Sequence, residues 1–142
     1  METPADYSMA EVGSLNVESQ SVTAAAHPLV GKAVDFTYKF KDTEGGEILW
    51  ERAESAPQVL KAGEKVGVHI SGDLTANKVY LELTSDVSTT YTYVCDMDFL
   101  GWRYFEIPVT VEADAQLTGI KLVQNSSQMS AAGTFAVDDI KY

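Results

Sequence analysis

The chain has 142 residues, 45% hydrophobic and 10% aromatic, with a formal net charge of −11: enough for one domain with a real core, and too apolar for general disorder. The charge repels phosphate backbones and anionic bilayers, which argues against nucleic acid or a membrane as partner and favours neutral or cationic ligands. The single cysteine, Cys95, cannot close an internal disulfide, and no apolar run is long enough to cross a membrane.

Residues 1–13 are polar and acidic and end at Gly13, which reads as a flexible arm or linker ahead of one domain over residues 14–142. The polar run directly after Met1 reads as the edge of a module taken from a longer chain. Residues 14–20 alternate and form the first expected strand, with Leu15 and Val17 inward and Asn16 and Glu18 outward. Residues 33–41 are a clearer strand: Val34, Phe36, Tyr38 and Phe40 share one face, and Asp35, Thr37 and Lys39 the other. A turn at residues 42–46 leads into residues 47–53, where Trp50 and Arg52 share a face. That face is either a core indole with an edge arginine or an exposed aromatic beside a polar partner.

After the loop around Pro57, Val66, Val68 and Ile70 alternate with Gly67, His69 and Ser71. A turn at residues 72–77 then leads to Val79, Leu81 and Leu83, alternating with Tyr80, Glu82 and Thr84. The two segments read as a hairpin whose outer face displays His69, Tyr80 and Glu82. Tyr91 and Tyr93 follow at strand spacing, on a face that is core or stacking platform. Cys95, in the same run, reads as a small buried hydrophobe. Residues 103–109 place Phe105 and Ile107 inward and Tyr104 and Glu106 outward, with Pro108 confining the strand's end to an edge or bulge.

Residues 117–124 are another strand, and residues 133–142 close the chain. In this last run Phe135 and Val137 share a parity that Ile140 breaks, so the strand buries both faces or shifts phase by a bulge at Asp138-Asp139. A carboxylate pair at such a kink needs a partner: solvent, a backbone amide, or a hard cation such as Ca²⁺. No helical period of useful length interrupts the roughly eight to ten short strands, the pattern of an all-β antiparallel β-sandwich or jelly roll.

Four segments in order, Lys65-Val66-Gly67-Val68-His69-Ile70-Ser71-Gly72-Asp73, Tyr80-Leu81-Glu82-Leu83, Gly101-Trp102-Arg103-Tyr104-Phe105-Glu106-Ile107-Pro108 and Gly133-Thr134-Phe135-Ala136-Val137-Asp138-Asp139-Ile140, resemble the galactose-binding-like jelly rolls. That group includes carbohydrate-binding modules attached to secreted bacterial polysaccharide-degrading enzymes, and the resemblance covers about residues 30–142. It implies a structural calcium with Asp138 as one ligand and Glu18 as another candidate. It also implies a neutral polysaccharide (β-glucan, xyloglucan or mannan type) held on a concave sheet face, a catalytic domain in the same parent chain, a monomer, and an extracellular or cell-surface location. Aromatic rings present flat apolar area to pyranose faces while polar neighbours fix the hydroxyls. The candidate site is accordingly Trp50, Arg52, His69, Tyr80, Glu82, Tyr91 and Tyr93, with Trp102 taken as structural.

Two other readings compete. A glycosidase needs two carboxylates about 5 to 10 Å apart, for which Glu82 with Glu106 or Asp96 is the available pair; with 21 acidic residues such pairs arise by chance. A structural or protein-interaction sandwich instead requires Trp50, Tyr80, Tyr91 and Tyr93 to be buried or scattered.

Overall fold

The computed structural model describes residues 7–25, 33–43, 45–53, 59–61, 63–86, 88–108, 115–125 and 131–141. They form eleven strands: β1 (Tyr7–Leu15), β2 (Val17–Ala24), β3 (Val34–Phe40), β4 (Glu47–Arg52), β5 (Val59–Leu60), β6 (Lys65–Asp73), β7 (Lys78–Thr84), β8 (Thr89–Asp96), β9 (Leu100–Pro108), β10 (Ala115–Val123) and β11 (Ala132–Lys141). One sheet runs β1-β4-β10-β7-β8 with β5 beside β10, and the other runs β2-β3-β11-β6-β9. Every pairing among the described residues is antiparallel.

The period-2 pattern explains how the sheets face each other. Val34, Phe36, Tyr38 and Phe40 of β3, Val66, Val68 and Ile70 of β6, and Val79, Leu81 and Leu83 of β7 all enter one shared core. At its centre the Phe36 and Phe135 rings stack at 5.1 Å, with the Trp50 ring 4.8 Å from Phe36 and 5.7 Å from Phe135. Each such buried side chain contributes about 1.5–3 kcal/mol relative to exposure.

Several boundaries differ from the sequence reading. Residues 7–13, expected within the arm, lie in β1, because Tyr7 packs edge-on to Phe36 at 5.2 Å and β1 pairs with β4. Residues 14–20 are not one strand: Asn16, at φ +63°, turns the chain from one sheet into the other, and Leu15 is left exposed. Asparagine tolerates this left-handed conformation, and here its Nδ2 also donates to Asp42 Oδ1 at 2.6 Å.

The expected hairpin of residues 65–84 is a crossover. β6 pairs with β9 and β11, whereas β7 pairs with β8 and β10 in the opposite sheet. The passage is made at Leu74 and Ala76, both with φ near +60°. Asp73 Oδ1 accepts from Thr75 Oγ1 (2.5 Å), Asp73 Oδ2 accepts from Tyr38 Oη (2.6 Å), and Asn77 Nδ2 donates to Tyr38 Oη (2.9 Å). Both alternatives expected for the closing strand are present: Phe135, Ala136, Val137 and Asp138 are all buried, and the β11–β6 register slips between Asp138 and Lys141.

Candidate functional site

The outer face of the six-stranded sheet collects the polar parity of its strands. β7 lies between β10 and β8, so Tyr80 falls opposite Tyr93 and Lys121, and Glu82 opposite Tyr91 and Gly119. Tyr91 and Tyr93 are 43% and 47% exposed, and Tyr80 is half-buried. The Tyr80 and Tyr93 rings meet at 5.6 Å and 66°. Beside them Glu47, Tyr80, Tyr91, Lys121 and Val123 line a groove of about 270 Å³, close to the lower end of the range of about 300–1,000 Å³ for small-ligand sites.

The groove's polar groups hold one another in place. Glu82, only 8% exposed, accepts from Tyr91 Oη at 2.9 Å and Thr118 Oγ1 at 2.8 Å. Lys121 Nζ sits 4.5 Å from the Tyr91 ring centre and 3.7 Å from Glu47 Oε1, so one face of Tyr91 is covered by a cation. Asp96 Oδ1 accepts from Lys78 Nζ at 2.8 Å and Tyr93 Oη at 2.7 Å. Those two donors, Lys78 first, hold the Asp96 carboxyl below the usual carboxylate range. Burial, then the bond to Glu82, raises the Tyr91 phenol; burial, then Asp96, pushes Tyr93 up to about 12. Gly119 suits the floor, since a Cβ there would stand 2.7 Å from the Trp50 carbonyl oxygen.

Tyr80, Glu82, Tyr91 and Tyr93 therefore share one surface. The other sequence candidates do not join them. Trp50 is fully buried among Phe36 and Phe135, and its Nε1 donates to Gln20 Oε1 at 2.9 Å. Arg52 has the same inward parity and is buried. His69 lies in the other sheet, because the chain crosses over after β6, and its ring packs at 4.9 Å against Tyr104. Lys121, Lys78, Glu47 and Thr118 are not among the sequence candidates, and Asp96 is among them only as a catalytic partner for Glu82. Outward parity marks Lys121 in the sequence, but nothing local shows that its strand lies between β4 and β7.

The metal ligands separate as well. Asp138 is buried in β11 across from His69. Glu18 is exposed and pairs with Lys39 at 2.9 Å; Lys39 lies across from Ala132, six positions along β11 from Asp138, or about 20 Å at about 3.3 Å per residue. Among the described residues no group of three or more His, Cys, Asp or Glu side chains could hold a metal. They do not by themselves complete a calcium shell at Asp138.

Neither glycosidase pair falls on neighbouring positions of one sheet face. Glu106 of β9 lies in the opposite sheet from Glu82. Asp96 pairs with Lys78, four positions along β7 from Glu82, roughly 13 Å along the backbone at the strand rise, and each carboxylate is held by its own donors, Glu82 by Tyr91 and Thr118 and Asp96 by Lys78 and Tyr93.

No protein-family profile matches the chain, and no curated protein matches it in sequence. In three dimensions it is similar to one of the carbohydrate-binding modules of the β-sandwich superfamily solved for the basis of their promiscuous specificity (TM-score 0.57, 13% identity, 98% of this chain and 57% of that one). It thus spans little more than half of that protein. It is also similar to TmCBM61, solved in complex with β-1,4-galactotriose (TM-score 0.52, 15% identity, 97% and 88% covered). A further similar structure is TmCBM27, a carbohydrate-binding module solved for its specific mannan recognition (TM-score 0.51, 12% identity, 96% and 86% covered). The chain has the fold of these proteins, the antiparallel β-sandwich or jelly roll of carbohydrate-binding modules.

Proposed function

We propose that this chain is a non-catalytic carbohydrate-binding module that holds a neutral polysaccharide on the outer face of its six-stranded sheet. The observation that carries the proposal is the convergence of Tyr80, Tyr91 and Tyr93 on one exposed face beside a groove edged by Lys121 and Glu47. Tyr80 and Tyr93 serve as the apolar platform. Tyr91, with Lys121 over one face and its hydroxyl tied to Glu82, acts as a fixed wall. Sugar units pack on such rings at small entropic cost, and the polar rim orients them. β-Glucan, xyloglucan and mannan remain the glycan classes proposed, with β-1,4-galactan added by the fold likeness to a galactotriose-binding module. An extracellular or cell-surface location, attachment to a glycan-degrading catalytic domain and a monomeric state belong to the same proposal.

The test is affinity gel electrophoresis of the protein against soluble polysaccharides of those classes, beside Tyr80→Ala and Tyr93→Ala. Retardation by one neutral class, lost in both variants at unchanged melting temperature, is the expected result. No retardation across the panel would favour a structural or protein-interaction sandwich.

Calcium at Asp138 is a separate proposal, since no group of three or more acidic, His or Cys side chains stands there among the described residues and carbonyl, amide or hydroxyl oxygens would have to complete the shell. A melting temperature that falls with chelator and recovers with Ca²⁺ would establish the site, because an ion bound only by the folded state must stabilise it. An unchanged value would remove it.

A further inference from the structure

Recognition of sugar hydroxyls needs donors and acceptors that the protein has not already paired with each other. On the tyrosine face Glu82, Lys78, Asp96 and the Tyr91 and Tyr93 hydroxyls are all engaged internally. The neighbouring edge of the sandwich is different. There β8 of one sheet and β9 of the other border a cavity of about 280 Å³ lined by Tyr93, Asp96, Asp98, Phe99, Arg103 and Phe105. The Arg103 guanidinium carbon lies over the Phe99 ring, 4.5 Å from its centre. A cation–π contact uses the charge and not the N–H donors, and among the described residues no carboxylate or carbonyl accepts from them. Asp98, exposed in the same wall, likewise accepts no bond there.

We infer that the β8–β9 edge cavity is a second sugar subsite, taking one neutral pyranose unit of the same glycan. It rests on the binding face assigned above and extends it. Arg103 donates to hydroxyl or ring oxygens, Asp98 accepts from a hydroxyl, and Phe105 and the Phe99 edge give the apolar wall. A uronate is disfavoured because Asp96 and Asp98 border the same space, and a simple cation is disfavoured by Arg103. The two sites are continuous: Tyr80 lines the groove, Tyr93 lines the cavity, and their rings touch. A glycan in the groove passes over this pair and turns the sheet edge into the cavity. Recognition then gains from chain length beyond what the face alone holds.

Isothermal titration calorimetry with oligosaccharides of each proposed class, β-glucan, xyloglucan, mannan and β-1,4-galactan, from disaccharide to hexasaccharide, tests this on the intact protein. Both altered residues are exposed, so Arg103→Ala and Asp98→Asn should melt as the parent does. Each is expected to weaken the hexasaccharide roughly tenfold, the factor that corresponds to about 1.4 kcal/mol, and to leave the disaccharide within twofold of the parent. Tyr80→Ala is expected to weaken every length. If Arg103→Ala and Asp98→Asn bind all lengths as the parent does while Tyr80→Ala does not, the edge subsite is wrong and the face stands. Equal losses at every length would put the disaccharide in the cavity and overturn the continuous arrangement. A parent protein that binds no oligosaccharide removes the face and the subsite together.

Discussion

The indole of Trp50 is wedged between Phe36 and Phe135 and anchored by Gln20, so removing it is a folding experiment before it is a binding one. Trp50→Ala is expected to cost about 3–5 kcal/mol, measured by urea denaturation. In Trp102→Phe, the remaining Trp50 emission should resist acrylamide quenching; strong quenching would contradict its burial. The titrating groups of the tyrosine face make a second expectation. Asp96 is depressed below its free range, so its contribution to stability is complete above that range and fades as pH falls through the lowered folded value. Lys78 and Tyr93 are raised, so their contributions are complete below their free values and fade as pH rises through the folded ones, about 12 for Tyr93. Alkaline ultraviolet titration should therefore show a tyrosine ionising near 12, and Asp96→Asn should lower that midpoint without returning it fully to the ordinary value, because burial and the neighbouring Cys95 and Tyr80 also raise it. An unchanged midpoint would mean that the carboxylate does not act on Tyr93.

Where strands leave a clear internal signature, the sequence was readable. Phe135 and Val137 against Ile140 announced a phase change, and the β11–β6 register slips there. The passage from β6 to β7 left no such mark. Period-2 alternation is the same in a strand that returns as a hairpin and in one that crosses to the facing sheet; the difference lies in how Asp73, Thr75 and Asn77 bond to one another and to Tyr38. His69 was placed beside Tyr80 for that reason, and it lies on the opposite side of the molecule. The crossover is open to mutation. Asn77 is fully buried and bonds Tyr38 Oη and the Asn125 amide, so Asn77→Ala should destabilise by about 1–3 kcal/mol. Leu74 is exposed and held at φ +61°. Leu74→Gly should be neutral or stabilising by up to about 1 kcal/mol, since the left-handed strain it relieves exceeds glycine's entropic cost. A large loss from Leu74→Gly would mean that its side chain, not the backbone, holds the turn.

Across the whole molecule, half the proposed face was legible and half was not. Outward parity within single strands picked out Tyr80 and Glu82, and strand spacing put Tyr91 and Tyr93 on one face without saying whether it was core or platform, whereas Lys121 required knowing that β10 sits between β4 and β7. That lysine decides what the net charge of −11 means for binding. Lys121 stands against Glu47 and the Tyr91 ring, and Lys78 against Asp96, so both of these lysines are already matched by a carboxylate. The long-range field remains negative, and the one cation among the described residues near the face without a carboxylate partner, Arg103, shares its cavity with Asp96 and Asp98, so a polyanion approaching the face meets net repulsion. Binding of a neutral polysaccharide should then be almost indifferent to ionic strength. Between about 0.01 M and 1 M salt the screening length falls from about 30 to 3 Å, yet retardation by the neutral glycan should stay constant, while a polyuronate should be excluded most strongly at low salt. Affinity that collapses as salt rises would show that Lys121 or Lys78 leaves its carboxylate to meet a charged ligand. The specificity assigned to the face would then have to be reversed.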